Sequence, residues 1–411
     1  MLARTVLPQV GGIVNAAGDS LPPLGTPGRR VLEGRVWDVA VVGAGPAGAM
    51  AAYELARVGK AVLLLDRQTF PRWKVCGATL SPGAQHLLAR VGLDGLLKAA
   101  GAQPLHTLRL GGWARQADIS LNGSMALSRL SLDPALVQAA VNAGALFCPG
   151  ARGKLGGLFR EKRIVHLTFG KKSLEVSARV VVAADGLVSG LMAQAGLPSQ
   201  PLPEGRRPLI GLGGVFPSST SGFPPGVIHM AVGKEGYVGL VRVEDGSLNL
   251  AAALSPDVLK GGGSADSVVA SLLEEGGWPA LPGSPSGKWK GTPELTRRPH
   301  GVGAERLFAV GDAGGYVEPF TGEGMLWALA GAHALAPLAA RATEGWEPGL
   351  LEAWGSVHRR LMVRAQRVCR LASWTLARPF ISRTALGMLQ RHPGLAAPLV
   401  RRAGSLIVSP A

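Results

Sequence analysis

The stretch WDVAVVGAGPAGAMAAYELARVGKAVLLLDR, residues 37–67, decides the fold. Its apolar run Val39–Val42 predicts a buried strand, and a second apolar run at Ala61–Leu65 predicts another. The glycine-rich turn between them predicts the start of a helix, which we expect to run to about Val58 because Gly59 follows as a stop signal. Two strands joined by a helix within about thirty residues form a βαβ unit.

The turn has the chemistry that a dinucleotide pyrophosphate requires. Gly43 permits the tight turn, Gly45 lets backbone amides approach the phosphates, and Gly48 lets the helix pack closely on the strand. The helix N-terminus adds roughly half a positive charge. Asp66, at the end of the second strand, is placed to accept hydrogen bonds from a ribose diol. The residues assigned to the cofactor here are Gly43, Ala44, Gly45, Pro46, Ala47, Gly48, Asp66 and Arg67.

A second glycine-rich site follows in RLFAVGDAGGYVEPFTGEGMLWALAGAHALA, residues 306–336. Asp312 stands at a predicted strand end, where it can bond a ribitol or ribose hydroxyl. The amides of residues 322–325 open the next predicted helix and can face the anionic edge of a flavin or its phosphates. The cofactor residues predicted here are Gly311, Asp312, Gly322, Glu323, Gly324 and Met325.

Three segments in order resemble the signatures of one family. They are GAGPAG with its following aspartate, VVVAADGLVS at residues 180–189, and VGDAGGYVEPFTGEGM at residues 310–325. The chain is similar, over about residues 37–341, to the FAD-dependent oxidoreductases that join aromatic hydroxylases, the class A flavoprotein monooxygenases, to geranylgeranyl reductases. The resemblance implies FAD as cofactor, NAD(P)H as external electron donor, and Asp185 and Gly186 at the cofactor. It also implies that Arg129, in RLSLDPALVQAAVNAGA, lies near the flavin.

The stretch FPRWKVCGATLSPG, residues 70–83, resembles the Lys-x-Cys-Gly segment of geranylgeranyl reductases. In those relatives the segment lies beside the isoalloxazine, which implies that Lys74, Cys76 and Gly77 line the flavin. A lysine there stabilises negative charge on reduced flavin, and a thiol can pack on the ring or donate a proton. The alternative is that Gly77 makes a bend and Cys76 fills a small buried space.

The substrate side is predicted from GYVGLVRVEDGSLNLAAAL, residues 236–254. Geranylgeranyl reductases carry an aromatic-Trp-Phe-Pro motif where this segment aligns, and this chain lacks the tryptophan and the proline. Tyr237 and every second residue after it share one strand face. Together with residues 226–233, the segment predicts a sheet that roofs the flavin. His229 and Tyr237 are candidate catalytic residues there, and a place in the core or at a sheet edge explains them equally well.

Composition limits the size of the core and the kinds of site and compartment that the sequence predicts. With 411 residues, 47% apolar and 17% charged, the chain can bury one large core or two modest ones. Its three cysteines, Cys76, Cys148 and Cys369, are far apart, which argues against a disulfide framework and predicts no metal site. They favour a reducing, cytoplasmic compartment. The sequence contains no uninterrupted run of about 18 apolar residues, so no transmembrane helix is predicted.

The net charge of +16 is concentrated near the C-terminus. Residues 353–411 hold ten arginines and no acidic residue, and Arg360, Arg364 and Arg367 follow helical spacing. A basic amphipathic helix predicts peripheral attachment to an anionic membrane surface. The alternative is a helix that packs against the body of the enzyme. Nucleic acid is not expected as a partner, because the tail has no interleaved aromatic stacking platforms.

The predicted fold is α/β, with an FAD-binding Rossmann-like domain of the glutathione reductase type at residues 37–204 and 291–345. A mostly antiparallel β-sheet substrate domain is inserted at residues 205–290, with added strands near 105–125. A mobile leader at 1–36 and a basic helical C-terminal extension at 346–411 flank them.

The resemblance implies flavin-dependent redox chemistry on a small, lipophilic substrate, in which flavin hydride reduces an alkene. One alternative is a monooxygenase that hydroxylates or epoxidises an aromatic, polyketide or isoprenoid-type substrate. The other is a non-catalytic FAD-binding protein docked to a membrane. The sequence leaves the substrate and the oligomeric state open.

Overall fold

The protein is described from a computed structural model that covers residues 29–201, 208–318, 320–376 and 378–398. Most of the predicted leader and the last part of the predicted extension therefore lie outside the described residues. The helices are α1 (Arg29–Leu32), α2 (Pro46–Arg57), α3 (Pro82–Arg90), α4 (Leu96–Ala99), α5 (Arg129–Asn142), α6 (Gly190–Gln194), α7 (Pro256–Lys260), α8 (Ala265–Gly276), α9 (Gly324–Glu344), α10 (Pro348–Leu376) and α11 (Pro379–Arg391).

The strands alternate with these helices and form two large sheets and one small one. They are β1 (Val36–Val42), β2 (Val62–Asp66), β3 (Thr79–Leu80), β4 (Gln103–Gly112), β5 (Arg115–Ala126), β6 (Leu146–Pro149), β7 (Arg152–Phe159), β8 (Lys162–Phe169), β9 (Lys172–Ala183), β10 (Gln200–Pro201), β11 (Ile210–Phe216), β12 (Val227–Gly233), β13 (Gly236–Arg242), β14 (Leu248–Leu254), β15 (Lys290–Glu294), β16 (Arg297–Arg298), β17 (Gly303–Ala304) and β18 (Leu307–Ala309). Single 3₁₀ turns occur at Gly311–Gly314 and Pro393–Ala396.

The first sheet is built on the predicted βαβ unit β1-α2-β2. Its central strands run in the order β18-β9-β1-β2-β6 and are all parallel. Val39 and Val41 of β1 face a core shared with α2, α5 and α9, whereas Ala40 and Val42 face a second core on the other side. Both faces are buried, which explains why these strands are continuous apolar runs in the sequence.

The second sheet runs in the order β15-β11-β14-β13-β12-β4-β5-β3. Every neighbouring pair is antiparallel except β12 and β4. One face packs against α8 through a core that includes Leu240, Leu250, Leu272 and Trp278. The other face turns toward the first sheet and lines a cavity. The sheet is therefore mostly antiparallel.

The C-terminal helices pack on the rest of the protein. Trp354 of α10 is fully buried, and its indole nitrogen donates to the carbonyl oxygen of Ala309 at 3.1 Å. Leu386 of α11 is also fully buried, against Leu110 and Val232 of the second sheet. The side chains of Arg364 and Arg367 lie outside the described residues. Within the part of the chain that is described, no helix is both long and apolar enough to cross a membrane.

Candidate active site

The glycine turn before α2 and the first turn of α2 contain three glycines in two kinds of environment. A Cβ atom on Gly43 would lie 2.1 Å from the carbonyl oxygen of Ala184, and one on Gly48 would lie 1.7 Å from that of Gly43. Gly43 also has a φ of +106°, which favours glycine. Gly45 instead borders the cavity, where its Cβ would lie 3.2 Å from an Arg129 nitrogen. Two glycines permit close packing, and the middle one leaves space open.

A buried ion-pair network stands beside this turn. Arg72 donates to Asp66 at 3.0 Å and to Asp133 at 2.6 Å, and Arg129 donates to the same Asp133 carboxylate at 2.5 and 2.8 Å. Asp133 is fully buried and the Arg72 side chain is 5% exposed, so each charge is held by its partners. The network places two guanidinium groups near the N-terminus of α2, which is a wall suited to anions.

Arg72 is a residue that the sequence interpretation missed. It lies two residues before Lys74 and four before Cys76, yet its partner Asp133 is 61 residues away in the sequence. Asp66 is also more engaged than expected, because its carboxylate accepts from the Ala44 amide and the Gln68 amide as well as from Arg72. Its predicted bond to a ribose therefore has to form at an already occupied carboxylate.

A cavity of about 1550 Å³ extends from the glycine turn to the second sheet. Ordinary ligand pockets measure about 300–1,000 Å³, so this cavity has room for more than one ligand. The predicted cofactor residues that border it are Gly43, Gly45, Pro46, Ala47, Asp66, Arg67, Lys74, Cys76, Gly77, Arg129, Asp185, Gly186, Gly311, Asp312, Gly322, Glu323, Gly324 and Met325. Ala44 and Gly48 support the turn from behind.

Two half-buried aspartates lie where strands of the first sheet end. Asp185 accepts from the Ser189 hydroxyl at 2.6 Å and from the Leu191 amide at 3.2 Å. Burial raises the pKa of Asp185, although these hydrogen bonds act to lower it. Burial also raises the pKa of Asp312, opposed by the charges of Arg129 and Lys74. Both carboxyl groups therefore gain from a bound polar partner such as a hydroxyl.

Lys74 and Cys76 border the cavity next to this charge network. Burial, together with the charge of Arg72, lowers the pKa of the Lys74 ammonium to about 8. Burial also raises the pKa of the Cys76 thiol, against the charge of Arg129. Its sulfur accepts from the Ala78 amide at 3.4 Å. Cys76 is thus a protonated thiol at neutral pH and a poor nucleophile.

Glu323 stands immediately before the first residue of α9, at the cavity wall. It is 3% exposed, and burial raises its pKa to about 8 although a hydrogen bond from Thr321 opposes the shift. One of its carboxyl oxygens has no hydrogen-bond partner. Gly322 beside it has a φ of +77° and contacts Thr79 so closely that a Cβ would lie 2.5 Å from the threonine oxygen. An unpaired buried carboxyl group here fits a ligand that offers a polar edge.

The second sheet forms an apolar wall of the same cavity. Tyr237 packs edge-on against Phe320, with ring centroids 4.9 Å apart, and its hydroxyl lies close enough to the Glu318 carboxyl group to interact with it electrostatically. Burial raises the pKa of Tyr237 well above its ordinary value and raises that of Glu318 too. The apolar residues that line this part of the protein's cavity are Leu108, Leu110, Ile119, Ile228, Met230, Val241 and, from α11, Ala385 and Leu389.

The structure corrects the expectation for His229. Its side chain is 1% exposed and does not border the cavity, because it points to the α8 side of the sheet. Its Nδ1 atom accepts from the Trp278 indole at 2.9 Å, and burial lowers its pKa to about 4. Neighbouring residues of a strand face opposite sides, so Met230 faces the cavity where His229 does not. His229 is a packing residue.

The FAD binding domain family matches residues 36–370, most of the chain. The chain belongs to this family. The predicted resemblance to FAD-dependent oxidoreductases is thereby confirmed, and FAD is the cofactor. The family match supports the prediction of an FAD-dependent enzyme.

Three relatives of this FAD-binding protein align with part of it. Menaquinone reductase of Mycobacterium tuberculosis is 36% identical over 165 residues, 39% of this chain and 40% of that protein. Digeranylgeranylglycerophospholipid reductase 1 of Methanopyrus kandleri is 36% identical over 176 residues, 41% of this chain and 44% of that protein. Conditioned medium factor receptor 1 of Dictyostelium discoideum is 26% identical over 331 residues, 74% of this chain and 63% of that protein. The chain spans less than two thirds of each.

Solved structures share the fold of this FAD-binding protein over almost its whole length. Flavin-dependent brominase Bmp2 has a TM-score of 0.74 at 16% identity, covering 91% of this chain and 95% of its own. The myxobacterial chondrochloren halogenase CndH has a TM-score of 0.72 at 20% identity, covering 90% and 91%. At these identities the likeness establishes the fold alone. The predicted architecture of a Rossmann-like domain, an inserted antiparallel sheet and a helical extension is confirmed.

The residues on the cavity wall fit FAD in this FAD-binding protein. The N-terminus of α2 has no side-chain cap, so its first amides are free of a capping side chain. Arg129 stands within reach of the space above Gly45, where a pyrophosphate would need a cation. The unpaired oxygen of Glu323 at the start of α9 offers a partner for a polar ring edge.

Proposed function

We propose that this oxidoreductase reduces a carbon–carbon double bond in an isoprenoid-type lipid. The observation that carries the proposal is the continuity of one cavity from the FAD cradle to an apolar sheet face. An apolar wall next to the cofactor cradle suits an alkyl or prenyl chain better than a compact polar metabolite. The names of two relatives, a menaquinone reductase and a digeranylgeranylglycerophospholipid reductase, point to substrates of the same kind.

The charged residues hold the cofactor end of the cavity. FAD supplies the hydride when it is bound. The α2 N-terminus and Arg129 bind its pyrophosphate, and Arg72 fixes Asp133, which in turn orients Arg129. Lys74 places a cation at the cavity wall, where it stabilises negative charge on the reduced cofactor. We propose NAD(P)H as the external source of the electrons.

The proton comes from the substrate side of the cavity in this proposal. Reduction adds a hydride to one alkene carbon and a proton to the other, so an acid has to stand opposite the hydride donor. Tyr237 fits that role because it is protonated, borders the cavity and lies beside the Glu318 carboxyl group. Glu318, whose pKa is raised by burial, can return a proton to the tyrosine after turnover. The surrounding apolar side chains exclude water from this pair.

Anaerobic single-turnover measurements test the proposal. The holoenzyme is reduced with dithionite, or with NADPH in a parallel sample, and mixed with detergent-solubilised menaquinone or digeranylgeranylglycerophospholipid. We expect the flavin absorbance to return without oxygen and the lipid to gain two hydrogen atoms by mass spectrometry, a gain that persists after any menaquinol has been reoxidised in air. Tyr237→Phe should slow reoxidation about 100-fold, which is in the range for loss of a general acid, while FAD content stays the same.

A different outcome would favour the monooxygenase alternative. If the flavin is reoxidised only when oxygen is admitted, and the lipid gains an oxygen atom, the reductase proposal fails. The reductase proposal is also contradicted if oxygen reoxidises the flavin and no lipid changes in mass. The Tyr237→Phe variant separates the two parts of the proposal, because unchanged reduction in that variant rejects the tyrosine as donor and leaves the reaction standing.

A further inference from the structure

Helix α11 and the turn after it carry exposed apolar side chains. Phe380 is 85% exposed, Met388 56% and Leu395 61%. Single exposed apolar residues are ordinary, but these three lie within one short segment. Because an α-helix turns by about 100° per residue, positions 380, 388 and 391 fall on one side of α11. That side points away from the protein, since the opposite side holds the buried Leu386.

Two arginines of α11 lie among these exposed apolar side chains. Arg383 and Arg391 are exposed on the same outer side of α11. Residues 353–411 contain no acidic residue, so nothing within this part of the sequence neutralises them. We define the C-terminal patch as Phe380, Arg383, Met388, Arg391 and Leu395.

The same segment forms a wall of the cavity on its inner side. Ala385 and Leu389 of α11, and Leu395 and Ala396 of the following turn, border the cavity. Leu395 therefore borders the cavity while most of its side chain is exposed to solvent. The cavity thus reaches the surface beside the C-terminal patch.

We propose that the C-terminal patch docks the enzyme on an anionic lipid bilayer, so that a lipid substrate enters the cavity past Leu395. The apolar side chains insert at the boundary of headgroups and acyl chains, and the two arginines pair with lipid phosphates. This inference depends on the proposed function only for the identity of the lipid that enters the cavity. Docking itself is a separate property of the surface.

The chemistry of the patch favours a bilayer over other partners. Nucleic acid would use the arginines but would leave Met388 and Leu395 without a role, because stacking requires aromatic platforms. A second copy of the chain would bring the arginines of both patches together, and like charges repel. An anionic membrane satisfies the cations and the apolar groups at once.

Liposome flotation of the FAD-loaded enzyme tests the docking surface. The vesicles are phosphatidylcholine alone, or phosphatidylcholine mixed with phosphatidylglycerol. We expect the wild type to float with the anionic vesicles and to be released by high salt. Phe380→Ser with Met388→Ser should reduce the bound-to-free ratio at least tenfold. Arg383→Gln with Arg391→Gln should do the same on anionic vesicles.

Matched controls lie on the β7–β8 and β8–β9 turns, remote in sequence from the C-terminal patch. Phe159 is 61% exposed, and Lys171 and Lys172 are exposed cations. Phe159→Ser, and the pair Lys171→Gln with Lys172→Gln, should bind vesicles as the wild type does. The docking proposal is overturned if patch and control variants bind alike, or if the wild type does not float.

Two further results would also overturn it. One is a wild-type dimer in the absence of lipid, measured by light scattering, that the patch substitutions convert to a monomer. The patch would then be an interface between two copies of the chain. The other is duplex DNA binding that is lost with the same substitutions. Reduction of detergent-solubilised menaquinone by the patch variants separates the two proposals. Docking is supported if the patch variants reduce detergent-solubilised menaquinone normally and reduce only vesicle-embedded menaquinone more slowly. If no variant reduces menaquinone but flotation behaves as expected, only the proposed function fails.

Discussion

At the scale of single residues, Gly45 is the glycine of the turn at which a side chain would enter the space for the cofactor. Its Cβ would enter the space beside Arg129, 3.2 Å from a guanidinium nitrogen. We expect Gly45→Val to lose bound FAD, because the branched side chain fills the approach of the pyrophosphate. The flavin absorbance per mole of purified protein measures this. Gly157→Val is the matched control, since Gly157 is exposed in β7 with nothing within 4 Å of its Cβ. FAD content equal to wild type in Gly45→Val would contradict the assignment.

The affinity for FAD should depend on pH through two residues at the cavity wall. Lys74 has a pKa lowered to about 8 and Glu323 one raised to about 8. The anionic cofactor favours the charged lysine and the neutral carboxyl, so binding raises both pKa values. Affinity is therefore full below pH 8 and falls as pH rises above it, by up to tenfold per pH unit for each group. Equilibrium titrations of the apoprotein at several pH values should show this fall, and Lys74→Met and Glu323→Gln should each flatten it. A pH-independent affinity would reject the assignment.

Cys76 should be replaceable. Its thiol is protonated and hydrogen-bonded to the Ala78 amide, and both observations suit packing rather than nucleophilic chemistry. We expect Cys76→Ser and Cys76→Ala to retain FAD and to keep turnover within about tenfold, roughly 1.4 kcal/mol of barrier. A loss of about 100-fold in the alanine variant alone would show instead that the thiol donates the proton. Loss of FAD from both variants would mean that the segment acts as a structural bend.

At the scale of elements, sequence patterns predicted those parts of the fold that are specified locally. The βαβ unit was found because strand, turn, helix and strand follow one another in residues 37–67, and each has its own local signal. The observed β1 begins at Val36, earlier than the apolar run, because it pairs with β9 from its first residue. The placement of His229 failed for a different reason. It pairs with Leu240 across the sheet, on the face opposite Tyr237, and this register depends on tertiary pairing.

The packing of α11 against the second sheet rests largely on one buried side chain. Leu386 is fully buried in a cluster with Leu110, Val232 and Phe320. Leu386→Ala should cost about 2–5 kcal/mol at this contact. A loss of 2 kcal/mol corresponds to about 30-fold faster amide exchange in α11, measurable by mass spectrometry. Met388→Ala, at an exposed position, is the control and should leave exchange unchanged. Equal exchange in both variants would mean that the docking of α11 does not depend on Leu386.

At the scale of the whole molecule, the active site is assembled from segments that are distant in sequence. Arg72 meets Asp133 across 61 residues, and α11 closes a cavity whose opposite wall is the glycine turn. Local patterns identified the glycine turns and the acidic strand ends, because each carries its own signal within a few residues. They did not identify Arg72 as part of the charge network or α11 as a cavity wall, since both depend on which elements pack together.

The proposed function assigns the cofactor to one end of the cavity and the substrate to the other, and a truncation tests this division. A chain ending at Leu376 keeps α10 and every predicted FAD residue but removes the α11 wall, including Ala385 and Leu389. We expect this variant to bind FAD normally and to show a KM for detergent-solubilised menaquinone raised at least tenfold, because the apolar contacts of that wall are lost. A chain ending at residue 398 keeps α11 and is the control. Loss of FAD from the shorter chain would place the extension among the elements that hold the cofactor, whereas an unchanged KM would show that the substrate binds without contacting α11.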